Sequence, residues 1–337
     1  MTVGWAIVAT AAIADSAVAP AIAKLADAEL VGIAGRDEAK TRAFAFKHGA
    51  RFATTSLDEL LSDPAVDVVY IATPNALHAE QVQAAARAGK HVLCEKPLAT
   101  SVRDAQAAVD ACASAGVKLG VNFQTRHHSA FSGVRELVMR GDLGDVLIAQ
   151  CEVSPGRHPL GGWRTDPALA GLGTINNLGV HAYDLLRYLL GSEVVEVSAL
   201  LDVGRRDDLE TIALTLLRFA NGTLAYVNAN QAVPNYQPDL QIYGSEGRVV
   251  GRSVTRPFID RGEIAVLVGG EERVTPTSTS DAFDRAIAAF NHAVVAGEEP
   301  NASGLDGLRS VQLTDGIARS AREGRVVELA AEEVQGS

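Results

Sequence analysis

Three segments of this 337-residue chain carry residue types whose spacing suits chemistry. The first is Cys94-Glu95-Lys96-Pro97. A charged pair follows an apolar strand-like run directly, and a proline then redirects the chain, compatible with a cis bond. Packing explains such a pair poorly; the competing reading is a solvated ion pair. The second segment, Tyr70-Ile71-Ala72-Thr73-Pro74-Asn75-Ala76-Leu77-His78, sets a hydroxyl, a proline-fixed turn and an amide at the end of another apolar run. His78 lies one turn into the following helix and reads as a positioning residue or a cap, not a base. The third segment holds Asn177, His181 and Asp184 at i, i+4 and i+7, one face of a helix. Among Leu185, Leu186, Leu189 and Leu190, such polar groups must be paired or functional. A single buried histidine is more often structural than catalytic.

Two further segments bear on a dinucleotide. The first strand-to-helix turn reads Ala9-Thr10-Ala11-Ala12-Ile13-Ala14, where a GxGxxG fingerprint would bring backbone close to a pyrophosphate. All three glycine positions are alanine, which alone fits an ordinary βα turn, yet the residues that must stay small are small. Ala9 must avoid positive φ because of its Cβ, so a widened turn and a weaker hold on the cofactor are expected. The second strand ends in Ala34-Gly35-Arg36-Asp37. Arg36 suits a 2′-phosphate or an adenine face, and Gly35 leaves room for it. This favours NADP over NAD; a solvated Arg-Asp pair is the alternative. Glu29 lies at the spacing of a ribose-binding acid but starts its strand.

Short apolar strands alternate with amphipathic helices through the first third: strands at 3–8, 29–34, 66–72, 91–94 and 117–121, helices at 12–26, 38–48, 57–61, 76–88 and 102–115. Strands without polar alternation, separated by helices, imply a parallel, doubly wound sheet, an α/β Rossmann domain over residues 1–124. Longer strand runs follow at 146–153, 194–203, 211–219, 223–232 and 240–243, with turn residues at Asn221-Gly222 and 244–247. With helices at 132–140 and 175–190, residues 125–337 read as an α+β domain with an open antiparallel sheet. The last helices, 283–296 and 305–322, are expected to pack back on the Rossmann domain.

A net charge of -11 argues against nucleic acid as a partner. Cys94, Cys112 and Cys151 form neither a disulfide framework nor a metal set. No apolar stretch is long enough to span a membrane, and the N-terminal run has no basic lead and breaks at Asp15. A cytoplasmic protein acting on small molecules is expected.

Together these segments closely resemble the Gfo/Idh/MocA family, the glucose–fructose oxidoreductase and inositol dehydrogenase group. The resemblance rests on Ala-Thr-Pro-Asn-x-x-His, Gly-Lys-His-Val-Leu-Cys-Glu-Lys-Pro-Leu, Gly-x-Leu-Gly-x-Val from Gly141, Trp163-Arg164 and Gly-Val-His-x-x-Asp. It implies an NAD(P)-dependent oxidoreductase moving a hydride between nicotinamide and a CH–OH group of a sugar or polyol, in a homodimer or homotetramer. Lys96 and His181 would carry catalysis, with Asn177 where many members have an aspartate. The expected cofactor contacts are Ala9, Thr10, Ala11, Ala12, Ile13, Arg36, Thr73, Pro74, Asn75, His78, Glu95, Lys96, Gln124, Trp163 and Arg164. Arg126, His158, Trp163, Asn177, His181 and Lys96 would meet the substrate; His127 and His128 are further pocket candidates. No metal is implied. His181 suits the base and Lys96 the polarising cation; the amide at Asn177 also lets Lys96 serve as base, since no carboxylate there favours its charged form. Two alternatives are a glycoside-cleaving enzyme that recycles NAD through transient sugar oxidation, and a sensor without turnover, which the alanine turn would favour.

Overall fold

The computed structural model describes residues 2–156, 161–202, 209–234, 236–255, 262–278 and 280–329. The chain divides into two compact units, 1–124 with 283–311, and 125–282 with 312–337.

In the first unit β1 (Val3–Val8) leads through a π-helical turn (Ala14–Val18) into α1 (Ala19–Ala23). Then follow β2 (Ala28–Ala34), α2 (Glu38–His48), β3 (Phe52–Thr54), α3 (Leu57–Ser62), β4 (Val68–Ile71), α4 (His78–Arg87), β5 (His91–Cys94), α5 (Val102–Ala115) and β6 (Leu119–Val121). The strands lie in the order β3-β2-β1-β4-β5-β6, all parallel. Every residue of β1 and β4 is buried, as a sheet covered on both faces requires. Asp37, Ser56 and Ser101 fix the starts of α2, α3 and α5 by accepting from Lys40, Glu59 and Asp104 backbone N–H. Trp5 is fully buried, donates from Nε1 to Asn291 Oδ1 at 2.9 Å, and meets the Phe290 ring edge-on. Residues 283–296 therefore belong to this unit's core, with Phe283, Ile287 and Phe290 among its apolar members.

The second unit opens with α6 (Ser129–Met139), β7 (Val146–Val153) and α7 (Pro167–Ala170). A second π-helical turn (Ile175–Gly179) runs into α8 (Val180–Leu190). Next come β8 (Val194–Leu201), β9 (Ile212–Phe219), β10 (Leu224–Asn230), β11 (Leu240–Gly244), β12 (Gly247–Arg252), β13 (Gly262–Val268) and β14 (Glu271–Thr277). α9 (Ala282–Ala296), α10 (Gly304–Glu323) and β15 (Val327–Glu328) close the chain. The sheet order is β14-β13-β12-β11-β7-β10-β9-β8-β15. All neighbours are antiparallel except β7 and β10, so the expected antiparallel sheet is mixed at its centre. One face packs Cys151, Val227, Leu217, Val197 and Ile242 with Leu185, Leu186 and Leu189 of α8. The other leaves Ile148, Leu216 and Leu224 exposed, and nearly all of β14 is exposed.

Three expectations need correction. β3 and the strands from β12 onward add to the expected set; they are short or lack clear alternation. The expected helices at 12–26 and 175–190 each contain a π-helical turn near the start. Ala9, expected to avoid positive φ, adopts φ +89°. Its N–H bonds the Ala34 carbonyl at 2.8 Å while the Val8 carbonyl accepts from Ala72, so both neighbouring strands pin it in a conformation that suits glycine. For an L-residue this costs about 1–2 kcal/mol, and glycine returns part of that gain as unfolded-state entropy. Ala9→Gly should raise unfolding stability by about 0.5–1 kcal/mol in urea titration, and Ala9→Val should lower it.

Candidate active site

In the first unit Val8, Ile71, Cys94 and Val121 stand in register across β1, β4, β5 and β6. The residues following them therefore emerge level at the carboxyl edge, where the strand order reverses between β1 and β4. Four expected cofactor segments meet that edge: Ala9–Ile13, Thr73–His78, Glu95–Lys96 and, past β6, Gln124.

Each is held differently. The turn after β1 is built of small, half-buried or exposed residues from Ala9 to Ala12. A Cβ on Gly35 would come within 2.4 Å of Thr41 Oγ1, so the chain stays close at the end of β2. Arg36 is exposed beyond it, while the Asp37 carboxylate is occupied in capping α2. This end of β2 thus offers the Arg36 guanidinium, with the Asp37 carboxylate engaged in the cap. Thr73 donates from Oγ1 to Gln81 Oε1 at 2.6 Å, and Asn75 is buried in the turn after Pro74.

The Lys96–Pro97 bond is cis, and Lys96 itself is half-buried. Its neighbour Glu95 turns inward, accepting from Tyr70 Oη at 2.5 Å and from Asn122 Nδ2 at 2.7 Å. Burial, then the Glu95 charge, pushes the Tyr70 phenol far above its usual range, so it stays a donor. Burial likewise keeps Cys94 a thiol. Glu95, expected at the cofactor, thus anchors the turn beneath Lys96. Tyr70 lies inside β4, where sequence offers no signal for it; Asn122 follows β6 as Glu95 follows β5, and the same strand-end reasoning points to it.

The second unit separates the polar residues that helical spacing had placed together. Asp184 is in the core, where Arg126 grips it with Nε and Nη2 at 2.7 and 2.6 Å. Arg187 approaches to 3.8 Å and itself binds Glu193. Arg126, expected at substrate, is 5% exposed and is placed here as an anchor of α8. Asn177 lies in the π-helical turn, not on the α-helical face, and donates to Gln231 Oε1 at 3.1 Å. Gln231 is 2% exposed, and among the described residues its Nε2 has no partner. No sequence pattern marked it.

His181 is half-buried in the first turn of α8, and the turn before it is capped by Glu210. The Glu210 carboxylate accepts from Ile175 N–H and its carbonyl from Thr174 N–H, both at 2.9 Å. Trp163 and Arg164 sit in a single turn, the guanidinium 4.4 Å over the indole. His127 is pushed down to about 4 by burial, then by Arg126, so its ring is neutral at physiological pH. His128 caps α6 and bonds Thr277. His158 lies outside the described residues. Among the described residues no three His, Cys, Asp or Glu side chains are grouped to hold a metal ion.

Residues 3–123 match the GFO_IDH_MocA family, described as an oxidoreductase family with an NAD-binding Rossmann fold, and residues 131–250 match the GFO/IDH/MocA C-terminal domain. The chain belongs to this family and is an NAD(P)-dependent oxidoreductase. It is 32% identical to a 1,5-anhydro-D-fructose reductase of Ensifer adhaerens, over 96% of this chain and 98% of that one. It is 34% identical, at the same coverage, to D-xylose 1-dehydrogenase (NADP(+)) 2 of Haloferax volcanii. The crystal structure of aldose-aldose oxidoreductase from Caulobacter crescentus, complexed with glycerol, superposes with a TM-score of 0.90 at 29% identity, covering 98% and 100% of the two chains.

Two outcomes test the second unit's supports. Asp184→Ala leaves Arg126 and Arg187 buried without their carboxylate, and should cost about 3–5 kcal/mol in denaturant unfolding. Burial raises the Glu210 pKa above its ordinary 4.5. The folded state then binds more protons than the unfolded one between 4.5 and the raised value, so stability falls as pH rises through that window. Glu210→Gln should flatten that slope in melts recorded across it.

Proposed function

We propose that the chain is an NADP-preferring dehydrogenase or reductase acting at a CH–OH carbon of a sugar, sugar derivative or polyol, with Lys96 and His181 handling the proton. The observation that carries this reading is the level strand edge, where Lys96 follows β5 in register with the small-residue turn after β1. When bound, NADP supplies or accepts the hydride at nicotinamide C4. In the oxidative direction His181 takes the hydroxyl proton, an imidazole being the side chain suited to a base near neutrality. Lys96 donates to the same oxygen and offsets the negative charge that develops there. Asn177, neutral and fixed by Gln231, orients the hydroxyl without adding a carboxylate.

Arg36, exposed beside Gly35, supports the preference for NADP, as does the NADP(+) in the name of the Haloferax relative. Trp163 and Arg164 are assigned to the nicotinamide and substrate. Ile148, Leu216 and Leu224 on the open sheet face support a homodimer or homotetramer. The three buried cysteines are free, which suits the reducing cytoplasm, and no helix among the described residues is long and apolar enough to cross a membrane.

A panel of aldoses, anhydro sugars and inositols followed at the nicotinamide absorbance tests the activity. Lys96→Met should lower kcat by about 10²–10³-fold; retention of most turnover would sink Lys96's role. Arg36→Ala should raise KM for NADP about tenfold or more and leave KM for NAD nearly unchanged.

A further inference from the structure

His78 is fully buried, with Nδ1 2.7 Å from the Pro97 carbonyl oxygen and Nε2 2.9 Å from the Thr73 carbonyl oxygen. A carbonyl oxygen only accepts, whereas a neutral imidazole carries a single N–H. Both contacts are hydrogen bonds only if the ring holds two protons. A neutral ring, in either tautomer, sets a nitrogen lone pair against a carbonyl lone pair. We propose that His78 is a positioning residue for Lys96, an imidazolium whose two N–H groups tie the turn after β4 to the turn after β5 and fix the backbone that carries Lys96. The proposal rests on the catalytic reading of Lys96.

Burial is the largest influence on the ring and lowers its pKa, and Lys96 adds to that; the bonds to Pro97 and Thr73 and the charge of Glu95 act the other way. Glu95 and Lys96, both from the turn after β5, are the charged groups that act on the ring. Desolvation taken by itself would leave the ring neutral. The two short contacts to acceptors decide for the second proton, because no single-proton ring satisfies both. A cation at the first residue of α4 also opposes the helix dipole, a cost that an ordinary Ser or Asp cap would avoid. The rigid arm is α4 itself, whose Val82, Ala85 and Ala86 are buried. Pro97 has no N–H of its own, so its carbonyl is a natural handle on that turn.

Long-range 1H–15N spectra of the labelled full-length protein at pH 7 read the ring directly, with the His78 signals assigned by their loss in His78→Asn. Two protonated nitrogens are expected; one unprotonated nitrogen would overturn the proposal. Side-chain replacement then separates the two bonds. Asn keeps a donor near the Nδ1 position, toward Pro97, whereas Gln keeps one near Nε2, toward Thr73. His78→Gln should lower kcat about tenfold or more below His78→Asn, with a larger effect on kcat than on cofactor KM. Equal losses in the two variants, or a change in KM alone, would overturn it. If Lys96→Met keeps its turnover, the catalytic reading of Lys96 fails, while the nitrogen spectrum still decides the state of His78.

Discussion

A parallel sheet buried on both faces leaves its strands no room for polar side chains, and the first unit is arranged around that constraint. β1, β4 and most of β5 are buried along their whole length. Charged side chains are therefore confined to the ends of these strands and the residues just past them. Because those ends are in register, Ala9, Ala72, Glu95 and Asn122 emerge side by side, with Thr73 one residue further on. Their anchors follow from the same constraint. Glu95 is held by Tyr70, which reaches up from within β4, and His78 is held by two backbone carbonyls.

The second unit solves a different problem with charge. α8 lies on a mostly antiparallel sheet and buries Leu185, Leu186 and Leu189 against it. Apolar contact alone lets a helix slide or rotate over several similar packings. The Arg126–Asp184 pair, geometrically specific and expensive to misalign, selects one of them. His181, one turn before Asp184, inherits that placement. Glu210 sets the preceding π-helical turn, and with it Asn177. An ion pair buried this deeply serves orientation more than stability.

Much of this was legible in the chain. The α/β alternation, the Glu95-Lys96-Pro97 turn and the end of β2 could be read because burial and strand ends leave strong local patterns. The π-helical turns could not, since the extra residue in such a turn carries no residue-type signal of its own. That is why Asn177, His181 and Asp184 looked like one stripe and proved to have three environments. Positive φ at Ala9 was excluded on the residue's own preference, but the hydrogen bonds to β2 and β4 that impose it are tertiary. Gln231 and Glu210 act through partners more than thirty residues away, and neither sits in a pattern that marks such a partner.

The nine-stranded sheet ends on β14, whose residues are nearly all exposed. An exposed edge strand offers unpaired backbone to any other strand and can template unlimited growth. Here the edge reads Glu271-Glu272-Arg273-Val274-Thr275-Pro276-Thr277. Three consecutive charges resist an incoming strand, and Pro276 has no N–H to give it. The exposed face of the same sheet carries Ile148, Leu216 and Leu224 beside the Glu196–Arg218 ion pair. A strand joining at the edge would build an open fibre, and these residues of β14 oppose it.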